Sequence, residues 1–413
     1  MVKLASRVVA AAESATIAVA RRAAQLTREG RDLVDLGAGE PCFASPVGAV
    51  EAAREALAAG FTRYTTVDGT PDLRAALVRH YRGHGAPWTG DGDVLVTVGA
   101  KSALLGSMMA LLDPGDEVVL PTPCWGSLPA QIALVGGRTV AVERSSQGGF
   151  AFDADALVAA IGDRTRVVLI NSPCNPTGAV IGHDALRRLA EVAARRDVVL
   201  LVDATYEAFD YRDVPPRQSA LGGVRVAAEF PDHVVWISSF SKAFAMTGWR
   251  VGYALGPRHV IAGLRSVQSH ATTHPTSFAM VGARAALERG GASSAEQVAR
   301  CRGNRDLLVS ALEAMPGVRC AAPDGAFYAL PDVSELLDVG GVDGSVALAE
   351  LLLDRVGVVT VPGAAFGAER HLRLSFAAPR ERIEVGVERL REAFGAVWEG
   401  AARERPAAAL EMP

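Results

Sequence analysis

The residue of this chain that could do the most chemistry is a lysine set among small and hydroxyl-bearing side chains. Lys242 closes the run Ser-Ser-Phe-Ser-Lys after an apolar stretch at 234–237, and Arg250 follows it by eight residues. A lysine that is desolvated near a second cation loses its proton more easily, and the neutral amine attacks aldehydes. The alternative is a lysine that extends its ammonium group into water from the end of a strand, which is the commoner behaviour of an isolated lysine.

Two further patches place polar groups directly after apolar stretches. In Asn-Ser-Pro-Cys-Asn-Pro-Thr-Gly, at 171–178, the prolines restrict the backbone, so that Asn175 would be a fixed donor. Asp203 follows the apolar stretch 198–202, and the phenol of Tyr206 comes three residues later. Taken alone, the first patch is equally a plain turn and the second a helix N-cap aspartate.

The elements that would position these groups alternate between short apolar stretches and segments of helical period. Strands are predicted at 94–98, 117–120, 166–170, 198–202, 234–237 and 251–255, and helices at 101–112, 128–135 and 184–195. Uniformly apolar strands separated by helices indicate an α/β fold with a mostly parallel sheet covered on both faces. Such a sheet binds ligands beyond the carboxyl ends of its strands, where the three patches lie.

The pattern changes near residue 291. A long helix, short strands within 319–330, 356–361 and 372–376, and a last helix at 380–398 predict a smaller α+β domain. We therefore predict four segments, the last of them a frayed tail with little to pack against. They are an N-terminal segment at 1–45 that packs with the small domain, a large domain at 46–290, the small domain at 291–400, and the tail at 401–413.

Composition excludes several classes of function. The 413 residues are 49% hydrophobic with a net charge of −4, so no basic field favours a nucleic acid partner. Five cysteines without a Cys-x-x-Cys pair, and no apolar stretch of 18 residues, predict a cytoplasmic protein without membrane spans. His80 and His84 are spaced like a metal pair, as are His270 and His274, but no adjacent glutamate completes His-Glu-x-x-His, and no metal is predicted.

Together, the three patches resemble the fold type I enzymes that use pyridoxal 5'-phosphate, and specifically the class I/II aminotransferases. The resemblance extends from about residue 14 to 396 and is closest to the bacterial branch of aspartate aminotransferases. It implies a large three-layer domain around the parallel sheet. The supporting motifs are Ser14-Ala15-Thr16, Leu36-Gly37-Ala38-Gly39-Glu40-Pro41, Thr97-Val98-Gly99-Ala100-Lys101, Pro121-Thr122-Pro123-Cys124-Trp125, and the segment from Lys242 to Tyr253.

The resemblance implies a role for each matching residue. Lys242 would hold the cofactor aldehyde in imine linkage and later move a proton, and Asp203 would keep the cofactor's pyridine nitrogen protonated. Tyr206 and Asn175 would donate to its phenolic oxygen, and Trp125 would stack on its ring. These residues form the catalytic and ring-binding part of the predicted site.

The phosphate of the cofactor needs several donors. By resemblance these are the start of a helix at Gly99, Ala100 and Lys101, together with Ser239 and Arg250, since a helix N-terminus attracts anions. Tyr64 matches a tyrosine that reaches the phosphate from the neighbouring subunit. The resemblance therefore implies a homodimer.

The substrate residues implied by the resemblance are Gly39, Trp125, Asn175 and Arg373. The guanidinium of Arg373 would bind the α-carboxylate in two parallel hydrogen bonds, and Gly39 would let the backbone approach it. Lys101 favours an acidic amino acid if it is not simply solvated. Cys42 stands where relatives carry aspartate, and Ala12-Glu13 where prephenate-using relatives carry Lys-Pro; this disfavours prephenate and leaves a specialised substrate open. His270 and His274 belong to a segment near the substrate end in relatives.

Three functions follow from these interpretations. The first is an aminotransferase that moves an amino group between an L-amino acid and a 2-oxo acid in a ping-pong cycle. The second is a pyridoxal-phosphate enzyme with another outcome, such as elimination, replacement, cyclisation or oxidation, because the cofactor motifs do not select the product. The third, a non-catalytic ligand sensor, is disfavoured because the residues before Gly39 are too few and not basic enough for a DNA-binding domain.

Overall fold

The computed structural model describes residues 2–10, 15–90 and 92–404. Ser14, the pair Ala12-Glu13 and the tail from 405 lie outside the described residues. The helices are α1 Ser6–Ala10, α2 Ala15–Arg28, α3 Val47–Ala58, α4 Pro71–Gly83, α5 Gly99–Leu111, α6 Ser127–Leu134, α7 Ala154–Ala159, α8 His183–Arg196, α9 Val226–Glu229, α10 Phe240–Ala243, α11 Arg258–Ala271, α12 Ser277–Arg289, α13 Gly291–Glu313, α14 Ser334–Gly340, α15 Gly344–Val356 and α16 Arg380–Glu404.

The strands are short, as their apolar stretches predict. They are β1 Val34–Asp35, β2 Val94–Thr97, β3 Glu117–Thr122, β4 Arg138–Glu143, β5 Thr165–Asn171, β6 Val199–Asp203, β7 Val234–Ser239, β8 Gly252–Leu255, β9 Tyr328–Ala329, β10 Val358–Val359, β11 Val361–Pro362 and β12 Leu372–Ser375.

The described residues form two compact units. Unit 1 contains Glu40–Arg300, Asp324–Ala326 and the described residues before 11, and unit 2 contains the described residues of 15–39, 301–323 and 327–404. The segment boundaries predicted from the sequence stay a prediction. No described helix is both long enough and apolar enough to cross a bilayer.

The centre of unit 1 is a seven-stranded sheet in the order β2-β8-β7-β6-β5-β3-β4. Its strands are parallel except β8, which runs antiparallel to both β2 and β7. Alternate residues of one strand enter opposite apolar layers: Leu200 and Val202 pack with α8 and α12 residues, and Leu201 packs with α5 and α11 residues. Because both faces are covered, the central positions of an inner strand are apolar on both sides, as in Leu200, Leu201 and Val202. The predicted α/β class with a mostly parallel sheet is confirmed.

The edge strand β4 was missed by the sequence analysis. Its residues Arg-Thr-Val-Ala-Val-Glu alternate between exposed and half-buried positions. An edge strand that faces solvent on one side needs no continuous apolar stretch, so it lacks the signal that marked the inner strands.

Unit 2 combines two small sheets with helices. Strands β1 and β10 form a parallel pair, and β11, β12 and β9 form an antiparallel sheet. A small core joins α2 to α15 and β10 through Ala23, Leu26, Leu353 and Val359. The final helix continues to Glu404, beyond the predicted end at 398, and its last residues, Ala-Ala-Arg-Glu, are strong helix formers. The frayed tail predicted at 401–413 stays a prediction.

Candidate active site

Three adjacent strands of unit 1 end in polar residues at one edge of the sheet. Asn171 at the end of β5 pairs with Asp203 at the end of β6, and Asp203 pairs with Ile237 of β7, two residues before Ser239. Helix α10 begins directly after β7 and carries Lys242. The alignment of strand ends therefore brings the predicted residues of three separate patches together.

Asp203 is a buried carboxylate with neutral hydrogen-bond donors. Its side chain is 3% exposed. Oδ1 accepts from the Thr205 hydroxyl at 2.6 Å and the Thr205 N–H at 3.2 Å, and Oδ2 accepts from Asn171 Nδ2 at 3.1 Å. Burial raises the pKa of Asp203, although these donors and the charge of Lys242 act in the opposite direction. The carboxylate thus sits where a further cation would be stabilised.

Asn171 and Thr205 are site residues to which the sequence analysis gave no role. Asn171 donates to both the side chain and the backbone oxygen of Asp203, and its own Oδ1 accepts the backbone N–H of Asn175 at 2.9 Å. It therefore fixes Asp203 and the turn that carries Asn175 at the same time. A polar residue ending an otherwise apolar strand was the available signal.

Lys242 and Tyr206 face each other in this region. The Nζ atom of Lys242 lies 6.0 Å from the centroid of the Tyr206 ring. Tyr206 is buried and Lys242 is half-buried. Tyr206 follows Asp203 by three residues, and the positive charge of Lys242 acts on the Asp203 carboxylate. The structure thus brings the three predicted catalytic residues together.

A second cluster surrounds the N-terminus of α5. Gly99 has φ +75°, and a Cβ there would lie 2.6 Å from Nη2 of Arg250. A Cβ on Gly252 of β8 would lie 2.4 Å from the backbone nitrogen of Ala100. Arg250, itself at φ +55°, donates from Nη1 to the Thr247 carbonyl at 2.9 Å. The absence of two side chains lets a guanidinium and a helix N-terminus converge, which is an arrangement suited to an anion.

Lys101 and Trp125 form a cation–π pair beside this helix terminus. Lys101 Nζ lies 4.5 Å from the centroid of the Trp125 ring. The pKa of Lys101 is lowered, first by partial burial and then by the positive charge of Arg250. The start of α5 therefore carries two positive charges, those of Lys101 and Arg250, whereas the strand ends carry the negative charge of Asp203. Ser239, at the end of β7, accepts the N–H of Ser241 at 3.3 Å and has a hydroxyl proton to donate.

Tyr64 lies on the connection between α3 and α4 and is 89% exposed. Its ring packs edge-on against His274, with centroids 5.7 Å apart. His274 Nε2 also accepts the backbone N–H of Thr65 at 3.1 Å, so this histidine supports the Tyr64 connection. His270 is exposed on α11. The predicted placement of both histidines at the substrate end stays a prediction.

Unit 2 holds Arg373 in a buried aromatic environment. Arg373 is 2% exposed and donates from Nη2 to the Gly37 carbonyl at 2.7 Å. Its guanidinium carbon lies 4.3 Å from the ring centroid of Tyr328 and 4.9 Å from that of Phe366. A Cβ on Gly39 would meet the Tyr328 hydroxyl at 3.6 Å, an ordinary contact, so packing within unit 2 does not itself require glycine there.

The chain is similar to known proteins over most of its length. The family model described as aminotransferase class I and II matches residues 31–390. The chain is 41% identical over 395 residues to the aspartate/prephenate aminotransferase of Thermus thermophilus, covering 95% of this chain and 99% of that one. It is 37% identical over 390 residues to the aspartate aminotransferase of Geobacillus stearothermophilus, covering 94% and 98%.

Solved structures give the same result. The aspartate aminotransferase from Thermus thermophilus with maleate superimposes with a TM-score of 0.87 at 40% identity, covering 95% of this chain and all of that chain. The aspartate aminotransferase from Rhizobium meliloti superimposes with a TM-score of 0.86 at 34% identity, covering 96% and 99%. The similarity therefore extends over sequence and backbone alike.

Proposed function

The chain belongs to the family of class I and II aminotransferases, and on this premise we propose that it uses pyridoxal 5'-phosphate to move an amino group between an L-amino acid and a 2-oxo acid. The predicted family and the predicted aminotransferase class are confirmed by the comparisons. The relatives and solved structures named above are all called aminotransferases, which does not favour the alternative of elimination, replacement, cyclisation or oxidation.

The residues of unit 1 fit this cofactor at both of its charged ends. Asp203 is buried among neutral donors with a raised pKa, so a protonated pyridine nitrogen beside it would supply the counter-charge that the carboxylate needs. The cradle made by Gly99, Gly252 and Arg250 offers backbone N–H groups and a guanidinium to a phosphate. The donor set and its separation of charge support the proposal.

Each residue near these ends would have one task. When bound, the cofactor supplies an aldehyde that captures amines and a ring that accepts electrons as the substrate's α-carbon loses a proton. Lys242 would hold the aldehyde carbon and then carry a proton on Nζ. Tyr206 and Asn175 would donate to the phenolic oxygen, and Trp125 would cover one face of the ring. Ser239, Ala100 and Lys101 would add donors to the phosphate site.

Arg373 would bind the substrate α-carboxylate. A planar guanidinium presents two parallel N–H donors that match a carboxylate, and the flanking Tyr328 and Phe366 rings restrict its orientation. Gly39 would leave room for the backbone to approach the same group. An orientation fixed by a carboxylate contact sets the α-proton relative to the base, which is worth several orders of magnitude in rate.

We propose an acidic amino acid as the first donor to test. The relatives named above are called aspartate or aspartate/prephenate aminotransferases, and Lys101 carries a positive charge that a second carboxylate would pair with. Prephenate stays disfavoured for this chain because Ala12-Glu13 replaces the Lys-Pro pair expected for that substrate. The alternative of a specialised amino acid as substrate is kept, because Cys42 stands where relatives carry aspartate.

We propose a homodimer in which Tyr64 completes the partner's phosphate site. Tyr64 is 89% exposed, and Val47, Val50 and Leu57 on the neighbouring α3 are exposed as well. Next to them lies an open groove of about 660 Å³, lined in part by Trp249. An exposed apolar surface of this kind is typical of a protein interface.

The observation that carries the proposal is Lys242 beside buried Asp203 in a chain that matches the family from 31 to 390. Protein loaded with pyridoxal 5'-phosphate should be treated with borohydride, digested and mapped by mass spectrometry. We expect a pyridoxyl adduct on the Lys242 peptide, and none in Lys242→Ala. An unmodified Lys242 peptide from protein that had bound the cofactor would overturn the proposal.

The reaction is tested by the same loaded protein. Aspartate, glutamate and other amino donors should convert the visible band of the bound cofactor to that of its amine form, and 2-oxoglutarate should restore it. Mass spectrometry should find the matching 2-oxo acid and no eliminated ammonia. In a separate assay, prephenate replaces 2-oxoglutarate as the acceptor of the amino group. Release of ammonia in place of reversible amine transfer would favour the alternative function.

A further inference from the structure

A second buried carboxylate, Glu207, lies one turn beyond Asp203. It is only 9% exposed, and its two oxygens accept hydrogen bonds from three side chains that belong to two elements, α4 and β7. Oε1 accepts from the Tyr81 hydroxyl at 2.5 Å and the Ser238 hydroxyl at 2.8 Å, and Oε2 accepts from Trp236 Nε1 at 3.0 Å. No such donor set is needed for a glutamate that reaches solvent.

The hydrogen bonds continue to a third element, β8. The Tyr81 hydroxyl on α4 lies 3.0 Å from the Tyr253 hydroxyl on β8, and their rings pack edge to face. Ser238 also approaches the carbonyl of Ala204 at 3.4 Å. We call Glu207, Tyr81, Tyr253, Trp236 and Ser238 the Glu207 network. All five of its side chains are buried, so their hydrogen bonds are made in a medium of low dielectric.

Three members of the network adjoin a residue of the proposed cofactor site along the chain. Glu207 follows Tyr206, and Ser238 precedes Ser239. Tyr253 follows Gly252, which lies so close to the start of α5 that a side chain at position 252 would overlap the α5 backbone. The network therefore joins the turn after β6, the end of β7 and the start of β8 to one another. A shift in any of them would displace a donor of the site.

We propose that Glu207 is a positioning residue of the active site, whose buried carboxylate fixes the turn that carries Asp203 and Tyr206 against the ends of β7 and β8. This inference rests on the proposed function, because it assigns Glu207 a role in holding the pyridoxal-phosphate site. Glu207 would contact neither cofactor nor substrate. Its negative charge would add to that of Asp203 and favour a cation between the strand ends.

The ionisation of Glu207 is controlled by the groups that face it. Burial raises its pKa to about 7, the three donors act to lower it, and the nearby charge of Asp203 raises it again. Tyr81 and Tyr253 have pKa values raised by burial and by Glu207, so both remain protonated donors in the physiological range. Three side-chain donors to one carboxylate are consistent with an ionised Glu207 at pH 8.

The test compares three variants of the full-length protein. Glu207→Gln keeps the side-chain shape and removes the charge. Tyr81→Phe removes one donor and keeps the carboxylate. Tyr211→Phe is the matched control, because the Tyr211 hydroxyl is likewise buried and donates at 2.5 Å, but to the Ala326 carbonyl outside the network. For each we measure the thermal midpoint without cofactor, the dissociation constant for pyridoxal 5'-phosphate, and the pH at which the visible band of bound cofactor changes.

A positioning role predicts that Glu207→Gln weakens cofactor binding on the order of tenfold, a factor that corresponds to about 1.4 kcal/mol, and shifts the pH of the band change. Tyr81→Phe should weaken binding by a smaller factor, and Tyr211→Phe should leave both quantities at the wild-type values. If Glu207→Gln does not fold, Tyr81→Phe against Tyr211→Phe decides the question by the same two readouts.

A merely structural role predicts a different pattern. Glu207→Gln and Tyr81→Phe would then lower the thermal midpoint as Tyr211→Phe does, and the dissociation constant and band pH would match those of the wild type; this result overturns the inference. It leaves the proposed function untouched, because that function fails only when the wild-type protein itself forms no adduct at Lys242.

Discussion

The raised pKa of Glu207 predicts a pH dependence of stability that one substitution should remove. In the unfolded chain a glutamate titrates near 4.5, whereas burial in the Glu207 network raises its pKa to about 7. A group whose pKa is higher in the folded state binds its proton more tightly there. Its contribution to stability is therefore complete below pH 4.5 and is lost as the pH rises through 7.

The magnitude follows from the two pKa values. One pKa unit corresponds to 1.36 kcal/mol, so the full contribution is on the order of 3 kcal/mol, and most of it is lost between pH 5 and pH 8. Glu207→Gln cannot titrate at this position and lacks this contribution. We expect the stability of the wild type relative to Glu207→Gln to decrease by about 2 to 3 kcal/mol across that interval.

The assay is urea unfolding of both cofactor-free proteins, followed by circular dichroism at half-unit steps from pH 5 to pH 8. Other titrating groups cancel in the difference between the two proteins. His80, for example, has a pKa lowered to about 4 by burial and His84, so its contribution is lost as the pH falls, but it is present in both. Parallel stability curves, differing by less than about 0.5 kcal/mol over the interval, would refute the reasoning.

Three further predictions concern the cofactor and substrate residues. Gly252→Ala should weaken cofactor binding at least tenfold in equilibrium dialysis, because its Cβ would overlap the start of α5, whereas Gly248→Ala, with open space at its Cβ, should bind normally; equal affinities would contradict the cradle. Asp203→Asn should lower kcat on the order of 100-fold in a coupled assay, since the counter-charge is lost, and near-normal turnover would contradict its role. Arg373→Lys should raise KM for the amino acid at least tenfold. The control Arg370→Lys changes an exposed residue that forms an ion pair with Asp338, and it should leave KM unchanged. An unchanged KM for Arg373→Lys would show that Arg373 is not part of the substrate site.

The sheet and the strand ends were predictable because burial on two faces leaves a continuous apolar signal. Strands β5, β6 and β7 were each located within two residues of their observed bounds. Since each of these strands ends in a polar residue, Asp203 and Lys242 could be assigned to one edge of the sheet before any coordinates. The edge strand β4 has only half of that signal and was missed.

The supporting residues of the site were much less visible. Asn171 and Thr205 are ordinary residues in a strand end and a turn, and their function comes from their hydrogen bonds to Asp203. The Thr205 contact spans only two residues of the chain, whereas the Asn171 contact depends on the register of two strands. Such a register is set by pairing between β5 and β6, whose residues are separated by 32 positions in sequence. Propensity and periodicity describe neighbours along the chain, so they give no access to contacts of that kind.

Glu207 illustrates the same difference for a charged residue. In sequence it is a glutamate five residues after a predicted strand, and exposure is the common outcome for a glutamate. It is buried because Tyr81, Trp236 and Ser238, at separations of 126, 29 and 31 residues, all direct donors toward it. Asp203, four residues earlier, instead receives its donors from its own turn and the adjacent strand, and the positive charge of Lys242 acts on it as well. Two carboxylates within one turn thus acquire separate tasks from their partners: one is enclosed by the fold and fixes it, and the other is left to pair with what the site binds.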